Sequence, residues 1–308
     1  SDVTNATGSI VILNVGSFRT WSRRVLSHTG SNITYEKVPW WKTKHHYYFL
    51  EGKIDFLDEP GEWFYDKSTN TVYFWPPNNK DPNTLHIRGK AQSYFITVSN
   101  VDDIKIKNVN FFGTTFKINK CTGCIIENCH FKYSSYSKRM LGIVDTSSET
   151  SIFKNSNHGQ VRDSSFRFTD GMALQMSSNN MVLTNTYFSH IDTSVSDNPS
   201  LQTTVQLSGS DNVISKCTMH KLGASATINP GDRAIVEYND IYDTGLMQSD
   251  GAISQMMVKQ QTDAIVRYNW FHDTSKYGAR FDGEGDGTNG TMHHNVIWNC
   301  GKGIMIKG

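Results

Sequence analysis

Apolar residues along this chain fall in short runs rather than in long helical stripes. Valine, isoleucine, phenylalanine and tyrosine come in small groups bounded by Asn, Asp, Gly and Ser, and no apolar period of 3.6 residues persists. Short β-branched and aromatic runs between turn-forming residues are typical of strands. The pattern therefore predicts an all-β protein with few helices.

From about residue 100 onward, one six-residue pattern recurs, which we call the marker. It reads as an apolar residue, any residue, a polar or aromatic residue, two residues of any kind, and an apolar residue. Its eight copies begin 20, 35, 22, 31, 22, 30 and 26 residues apart. They are IKNVNF (106–111), IENCHF (126–131), VRDSSF (161–166), LTNTYF (183–188), ISKCTM (214–219), VEYNDI (236–241), VRYNWF (266–271) and MHHNVI (292–297).

Between the markers lies a second strand type, seen in GMALQM, TTVQLSG, SATINPG, GAISQM, GARFDG and GIMIKG. A repeat of this size cannot bury its own apolar side, so neighbouring repeats must stack. Leucine-rich repeats would show a regular leucine ladder, and propeller blades need roughly 40 to 45 residues each. The repeat therefore predicts a solenoid, a right-handed parallel β-helix. Asn108, Asn128 and Asn185 suit its corners because Asn tolerates the left-handed conformation.

Residues 1–98 lack the marker and form a separate N-terminal region. In GEWFYDKSTNTVYFW (61–75), two alternating runs flank a polar turn, which predicts an antiparallel hairpin. We expect 1–98 to be a small antiparallel β-rich cap or sandwich-like region and 99–308 to be the β-helix. The final run GIMIKG stops within a repeat, so we expect further protein to follow it. A bare solenoid end also offers strand edges for self-association.

Charge and composition exclude several classes of partner. The formal net charge is +1 and no block of one sign occurs, so no nucleic-acid partner is indicated. No apolar run approaches the roughly 20 residues that a membrane span needs. Walker loops, nucleophile elbows and dinucleotide motifs are missing from the sequence.

The segment HHYYFLEGKIDFLDEPGEWFYDKSTNTVYFWPP (45–77) resembles a tract that precedes the β-helix in secreted carbohydrate-active proteins related to glycoside hydrolase family 141. The stretches GASATINPGDRAIVEYNDIYDTG (223–245), SDGAIS (249–254), YNWFHDT (268–274) and GARFDG (278–283) also resemble coils of that family. The resemblance spans most of the chain. It implies a right-handed β-helix, a secreted or cell-surface location, and a polysaccharide or glycan partner, but no particular reaction.

Two aspartates are the candidate catalytic pair. The strands GAISQM and GARFDG follow successive markers, so they should be neighbours about 4.8 Å apart. Asp250 precedes the first strand and Asp282 ends the second, which predicts a carboxyl separation of about 5 to 10 Å in one groove. One carboxylate would act as nucleophile or base and the other, protonated, as acid. Glu284 is the substitute acid.

Three further residues are assigned to substrate binding. Arg280 lies on the strand of Asp282, where it would hold one carboxylate ionised or bind a sugar acid. His272 and Trp270 come from the preceding corner and would line a sugar subsite. Two alternatives remain for the acids: they cap turns, or Asp282, Glu284 and Asp286 form a calcium loop. No other cofactor or metal is expected.

Cysteine and asparagine positions bear on the environment of the chain. Cys121, Cys124 and Cys129 cluster in one repeat, and the favoured interpretation is buried thiols, followed by one local disulfide. His130 is interpreted as a surface residue. The sequons at Asn5, Asn32 and Asn289 are compatible with N-glycosylation of a secreted protein.

Two functional hypotheses from different classes follow. The first is an extracellular polysaccharide-active enzyme, a glycoside hydrolase that uses Asp250 and Asp282. The second is a non-catalytic module that binds glycans or builds a surface fibre or matrix. An open groove with two close carboxylates favours the first, and a covered face favours the second.

Overall fold

The computed structural model describes residues 3, 5–16, 18–39, 47–141, 149–194, 203–248, 250–259 and 261–307. They form two compact units. The first holds the described residues of 1–89 and 137–141, and the second holds those of 90–136, 149–194 and 203–307. The boundary at 98/99 stays a prediction. The described helical segments are short 3-10 turns at Ile54–Phe56, Pro77–Asn79, Pro82–Thr84 and Arg139–Leu141.

The first unit contains small antiparallel sheets. Its strands are β1 (Ile10–Gly16), β2 (Arg19–Thr29), β3 (Asn32–Tyr35), β4 (Tyr47–Glu51), β5 (Trp63–Asp66) and β6 (Thr71–Phe74). The first four pair in the order β3-β2-β1-β4. Strands β5 and β6 pair antiparallel around the turn at 67–70, where Asn70 has φ of 55°. The predicted antiparallel N-terminal region and its hairpin are confirmed.

The second unit is built from short strands that follow one another in a fixed order. They are β7 (Tyr94–Ser99), β8 (Lys105–Lys107), β9 (Asn110–Phe112), β10 (Thr115–Asn119), β11 (Ile125–Glu127), β12 (His130–Lys132), β13 (Ser151–Lys154), β14 (Gln160–Arg162), β15 (Ser165–Thr169), β16 (Leu174–Ser177), β17 (Val182–Thr184), β18 (Tyr187–Ile191), β19 (Thr203–Ser208), β20 (Val213–Ser215), β21 (Thr218–Leu222), β22 (Ala226–Asn229), β23 (Ile235–Glu237), β24 (Asp240–Thr244), β25 (Ala252–Met256), β26 (Ile265–Arg267), β27 (Trp270–Phe281), β28 (Thr291–His293) and β29 (Val296–Ile306).

These strands pair in parallel across successive coils. One sheet has the order β28-β26-β23-β20-β17-β14-β11-β8. A second has two limbs, β7-β10-β13-β16-β19-β22-β25 and β9-β12-β15-β18-β21-β24, which meet at β27, and β29 pairs with β27. Parallel pairing of every third strand is the topology of a β-solenoid, so the predicted parallel β-helix is confirmed.

The marker sets the register of the coils. Its first residues stand directly opposite one another from Ile106 to Met292, in the series Ile106, Ile126, Val161, Leu183, Ile214, Val236, Val266 and Met292. Its last residue also points into the core, where Phe111, Phe131, Phe166 and Phe188 stack with centroid distances of 4.5, 4.7 and 5.1 Å. These distances match the spacing of parallel strands, so each coil packs on the next.

The third marker position is the corner of the coil. Asn108, Asn128 and Asn185 have φ of 59°, 50° and 45°, which confirms the predicted left-handed corners. Later coils place Tyr238 and Tyr268 there at φ of 56°, and these two rings stack with centroids 5.2 Å apart. Stacking on the neighbouring ring offsets the strain of a bulky side chain in this conformation.

A buried asparagine ladder follows this corner in the last three coils. Asn239 is 2 % exposed and Asn269 is fully buried. The side-chain amide of Asn239 donates to Asn269 Oδ1 at 2.9 Å, and that of Asn269 donates to Asn295 Oδ1 at 2.9 Å. Each amide thus bonds the next along the axis, which satisfies polar groups inside the coil.

Candidate active site

Strands β25 and β27 position the candidate catalytic residues on neighbouring coils. They pair in parallel, with Ala252 opposite Tyr277 and Gln255 opposite Arg280. Asp250 lies two residues before β25, and Asp282 follows β27 directly. The two aspartates therefore approach the same pair of strands from opposite ends.

One guanidinium bridges both carboxylates. Arg280 Nη1 donates to Asp250 Oδ1 at 2.6 Å, and Arg280 Nη2 forms an ion pair with Asp282 Oδ1. The Arg280 side chain is 9 % exposed, whereas those of Asp250 and Asp282 are 32 % and 26 % exposed. Arg280 was predicted to hold one carboxylate, and in the structure it contacts both.

The shared guanidinium limits the distance between the acids. Adjacent nitrogens of one planar guanidinium make the hydrogen bond to Asp250 and the ion pair to Asp282, which keeps the two contacted oxygens within roughly 7 Å of each other. Retaining glycosidases place their carboxyl groups about 5 to 5.5 Å apart and inverting ones about 6.5 to 9.5 Å. The pair is therefore close enough for glycoside chemistry, with either stereochemical outcome open.

Other groups fix the two carboxylates in place. Gln255 Nε2 donates to Asp282 Oδ2 at 3.0 Å, and Lys307 Nζ lies 3.7 Å from Asp282 Oδ1. The Gly251 backbone N–H donates to Asp250 Oδ1 at 2.8 Å. Gly251 has φ of 111°, and a Cβ there would lie 1.9 Å from the Ser225 carbonyl oxygen, so this position requires glycine. Gln255 and Lys307 were not predicted; the in-register alignment of GAISQM with GARFDG is the signal that identifies Gln255.

A cleft of about 320 Å³ lies at the ends of β19 and β22, and none of Asp250, Arg280 and Asp282 lines it. Its lining is mixed: Leu207, Pro230 and Val258 are apolar, and the polar side chains include those of Asn229 and Gln261. Because Ile228 pairs with Ser254, Asn229 lies one coil from Gln255, at a strand spacing of about 4.8 Å. This cleft was not predicted from the sequence, because its walls come from segments that only the coil register brings together.

The remaining acids of GARFDGEGDG lie in the turn after β27. Glu284 is exposed, and its side chain makes no hydrogen bond or ion pair within the described chain. A Cβ at Gly287 would lie 2.3 Å from the Phe281 ring, so the turn packs closely on that side chain. Among the described residues, no group of three or more His, Cys, Asp or Glu could hold a metal ion. Calcium binding by Asp282, Glu284 and Asp286 stays a prediction.

His272 and Trp270 lie in an aromatic cluster at the start of β27. The His272 ring stacks between Tyr242 and Trp298, with centroids 4.9 and 3.9 Å away. Its nitrogens bond Asp273 at 2.7 Å and Asp240 at 3.0 Å. Both faces of the imidazole are therefore covered, and a sugar could reach only its edge. Trp270 is 57 % exposed, which leaves its indole accessible.

The cysteine interpretation needs a correction. Cys121 and Cys124 form a disulfide, so the favoured assignment of buried thiols is wrong for these two. It holds for Cys129 and Cys217, which are buried and free, and burial raises the pKa of the Cys217 thiol to about 12. Two cysteines three residues apart in a turn are close enough to form a disulfide, but whether they do so depends on the local backbone geometry, which composition does not reveal. His130 is exposed, as predicted.

Comparisons with known proteins agree with this architecture. Residues 150–308 match the family model described as right handed beta helix region, and residues 27–77 match the GH141 insertion domain. Together the two matches confirm the resemblance to carbohydrate-active β-helix proteins that the sequence indicated. A search of curated proteins found no match. No described helix is long and apolar enough to span a membrane.

One of the solved structures found, with a TM-score above 0.5, shows the same fold. A structure titled glycoside hydrolase aligns with a TM-score of 0.64 at 13 % identity, over 97 % of this chain and 68 % of that one. An alginate lyase from Paenibacillus sp. str. FPU-7 aligns with a TM-score of 0.41 at 12 % identity, over 67 % of this chain and 78 % of that one. A tailspike protein of E. coli bacteriophage HK620 with bound pentasaccharide aligns at 0.31 and 10 % identity, over 65 % and 41 %.

Proposed function

The chain belongs to the right-handed β-helix family, and from that premise we propose that it is a polysaccharide-active glycoside hydrolase with Asp250 and Asp282 as its paired carboxylates. One observation carries the proposal: a single, nearly buried guanidinium, that of Arg280, holds both acids within roughly 7 Å of each other. Two carboxylates at this distance are the group that glycoside hydrolysis requires.

The two acids have different surroundings, which suggests their roles. Asp282 accepts a hydrogen bond from Gln255 and forms ion pairs with Arg280 and the more distant Lys307, and we assign it as nucleophile or base. Asp250 is the more exposed of the two and we assign it as acid. Substrate that displaces Arg280 from Asp250 would leave this carboxyl beside the charge of Asp282, which favours its protonation.

The neighbouring cleft supplies room for the glycan. Its volume of about 320 Å³ and its amide and hydroxyl lining suit sugar hydroxyls, which need both donors and acceptors. Asn229 lies in the cleft and one coil from Gln255, which contacts Asp282. A sugar bound at Asn229 would therefore lie one coil from the residue that contacts Asp282.

A non-catalytic glycan-binding module is the second candidate. It is favoured by the same ion pairs, because a carboxylate bonded to arginine is less available as a nucleophile. Binding without turnover would then be the function of this face. The two candidates differ in one measurable property, the release of reducing ends.

A secreted or cell-surface location is part of the proposal. The disulfide between Cys121 and Cys124 is typical of oxidising compartments. Asn5, Asn32 and Asn289 are all exposed, as N-glycosylation requires. Self-association through the end of the solenoid stays a prediction.

The experiment is a substrate screen with matched variants. The parent chain is assayed for reducing-end release on fucose-, xylose- and galactose-containing polysaccharides, together with Asp250→Asn and Asp282→Asn. Each variant should lose at least about 100-fold in kcat, since each removes a group that transfers a proton or forms a bond. The melting temperature should change little, because Arg280 keeps one carboxylate partner in each variant.

Asp263→Asn is the control, since Asp263 is an exposed turn residue with φ of 50°. It should match the parent in rate. Parental turnover in both active-site variants would refute the assignment. Tight glycan binding by a parent that releases no reducing ends would establish the binding module instead.

A further inference from the structure

Three cations lie on one corner of the solenoid, where the nearby acid is Asp243, one coil from Lys221, since Leu222 pairs with Thr244. Lys132 and Arg167 stand directly opposite each other on neighbouring coils, and Lys221 lies two coils further along, at the end of β21. All three are exposed. Within the described chain none of them forms a salt bridge, although the whole sequence has a net charge of only +1. We call these three residues the cationic corner.

Aromatic rings, rather than carboxylates, position two of these charges. Lys132 Nζ lies 5.2 Å from the Tyr133 ring centroid and 5.3 Å from that of Phe168. Arg167 Cζ lies 5.5 Å from the Phe168 centroid and 5.7 Å from that of Tyr187. Cation–π contacts order a side chain without neutralising it. The charges therefore remain available to an anion, and less side-chain entropy is lost when the anion binds.

Hydrogen-bonding rings adjoin the cationic corner. Tyr187 Oη and His220 Nε2 are joined by a hydrogen bond of 2.6 Å. His190 stacks on Phe168 with centroids 4.6 Å apart. Burial, followed by neighbouring charges that include Lys221 and Arg167, lowers the pKa of both histidines. At neutral pH they are uncharged donors and acceptors beside a positive surface.

We propose that Lys132, Arg167 and Lys221 form a binding site for an anionic glycan whose sugars carry carboxylates. Neighbouring coils are about 4.8 Å apart, close to the length of one sugar unit, so carboxylates on successive sugars meet Lys132 and Arg167 in turn. Tyr187 and His220 then bond sugar hydroxyls beside the chain. The site uses none of the residues of the proposed hydrolase, so either can fail without the other.

The ring geometry favours a glycan over a nucleic acid as the polyanion. Single-stranded nucleic acids bind by stacking bases on open aromatic faces. Here Phe168 stacks between Tyr133 and His190, with centroids 5.4 and 4.6 Å away. Its faces are closed and only the ring edges point outward, which leaves charge and hydrogen bonding as the means of recognition.

The test compares two forms of one polymer. Binding of polygalacturonate and of its fully methyl-esterified form is measured by affinity electrophoresis and calorimetry at low and moderate salt. The parent should bind the acidic polymer, more weakly as salt rises, and not the ester. The triple variant Lys132→Gln, Arg167→Gln, Lys221→Asn should bind roughly tenfold more weakly, since three exposed charge contacts are removed.

A second triple variant controls for net charge. It carries Lys105→Gln, Lys154→Gln and Lys216→Asn, which remove three exposed lysines elsewhere on the solenoid. Lys216 matches Lys221 in backbone conformation, since both are left-handed, with φ of 56° and 55°. This variant and Asp282→Asn should bind like the parent. Four results would each overturn the proposal. The control variant loses as much affinity as the first triple variant, or the parent binds the ester as tightly as the acidic polymer. Alternatively, the parent binds neither polymer, or it binds a single-stranded oligonucleotide more tightly at the same residues.

Discussion

Asn269→Ala should destabilise the solenoid more than any exposed polar substitution. The Asn269 side chain is fully buried, and its Oδ1 accepts from the Asn239 backbone N–H at 3.0 Å and from Asn239 Nδ2 at 2.9 Å. Its Nδ2 donates to the carbonyl oxygens of Val236 and Arg267, both at 2.9 Å. The variant removes these four bonds and the one from Asn269 Nδ2 to Asn295 Oδ1, and it leaves the Asn239 N–H without its acceptor.

The magnitude follows from that inventory. A buried donor left unsatisfied costs about 1 to 3 kcal/mol, whereas Asn239 Nδ2 keeps a second acceptor, the Ile214 carbonyl oxygen at 3.1 Å. Adding the small cavity left by the amide gives roughly 2 to 4 kcal/mol in total. For a chain of this size that corresponds to a fall in melting temperature of about 3 to 6 °C.

The assay is thermal unfolding followed by circular dichroism, paired with amide hydrogen exchange. Since repeats of a solenoid contact only their neighbours, faster exchange should concentrate in β23, β24, β26 and β27. Asn295→Ala is the matched control, because Asn295 is partly exposed and water can replace its bonds; it should cost about 1 kcal/mol. If Asn269→Ala lowers the melting temperature no more than Asn295→Ala, the ladder is not a buried network and the reasoning fails.

Two further predictions concern titration and modification. The lowered pKa of His190 and His220 means that the unfolded chain, with histidines near 6.5, binds these protons more readily than the folded one. The folded state should therefore be most stable above pH 6.5 and lose stability as the pH falls below that value. The melting temperature should fall between pH 7.5 and pH 5.5, and it should fall less steeply in a His190→Gln, His220→Gln variant. An equally steep fall in the variant contradicts this prediction. When the chain is expressed in a eukaryotic secretory system, it should carry glycans on Asn5, Asn32 and Asn289. Mass spectrometry of the intact protein before and after enzymatic deglycosylation checks this, and an unchanged mass would contradict the prediction.

The fold could be predicted because the marker records the register directly. Its apolar ends, such as Ile126 and Phe131, point into the core in every coil, so a periodic sequence implies a periodic structure. Asparagine corners were predictable for a similar reason, since Asn128 tolerates its conformation locally. Tyrosine does not tolerate this conformation by itself. Tyr268 adopts φ of 56° because its ring stacks beside those of Tyr238 and His294, and these contacts exist only after the coils stack.

The candidate site was predictable only in part. Adjacent coils bring Asp250 and Asp282 to one pair of strands, which follows from the repeat. That Arg280 reaches both acids depends on side-chain geometry that no spacing reveals. His272 shows the opposite limit: it was predicted to line a sugar subsite, and both faces of its ring are occupied by neighbours from other coils.

The alignment of all eight markers has a consequence for how such a chain can change. Intervals of 20 to 35 residues separate copies that nevertheless stand directly opposite one another, so the extra residues leave the ladder before the next coil begins. Length is thus decoupled from scaffold geometry. Segments between strands can be lengthened, shortened or grafted from another coil while the supporting wall keeps its dimensions, which makes this architecture a natural template for engineering new specificities.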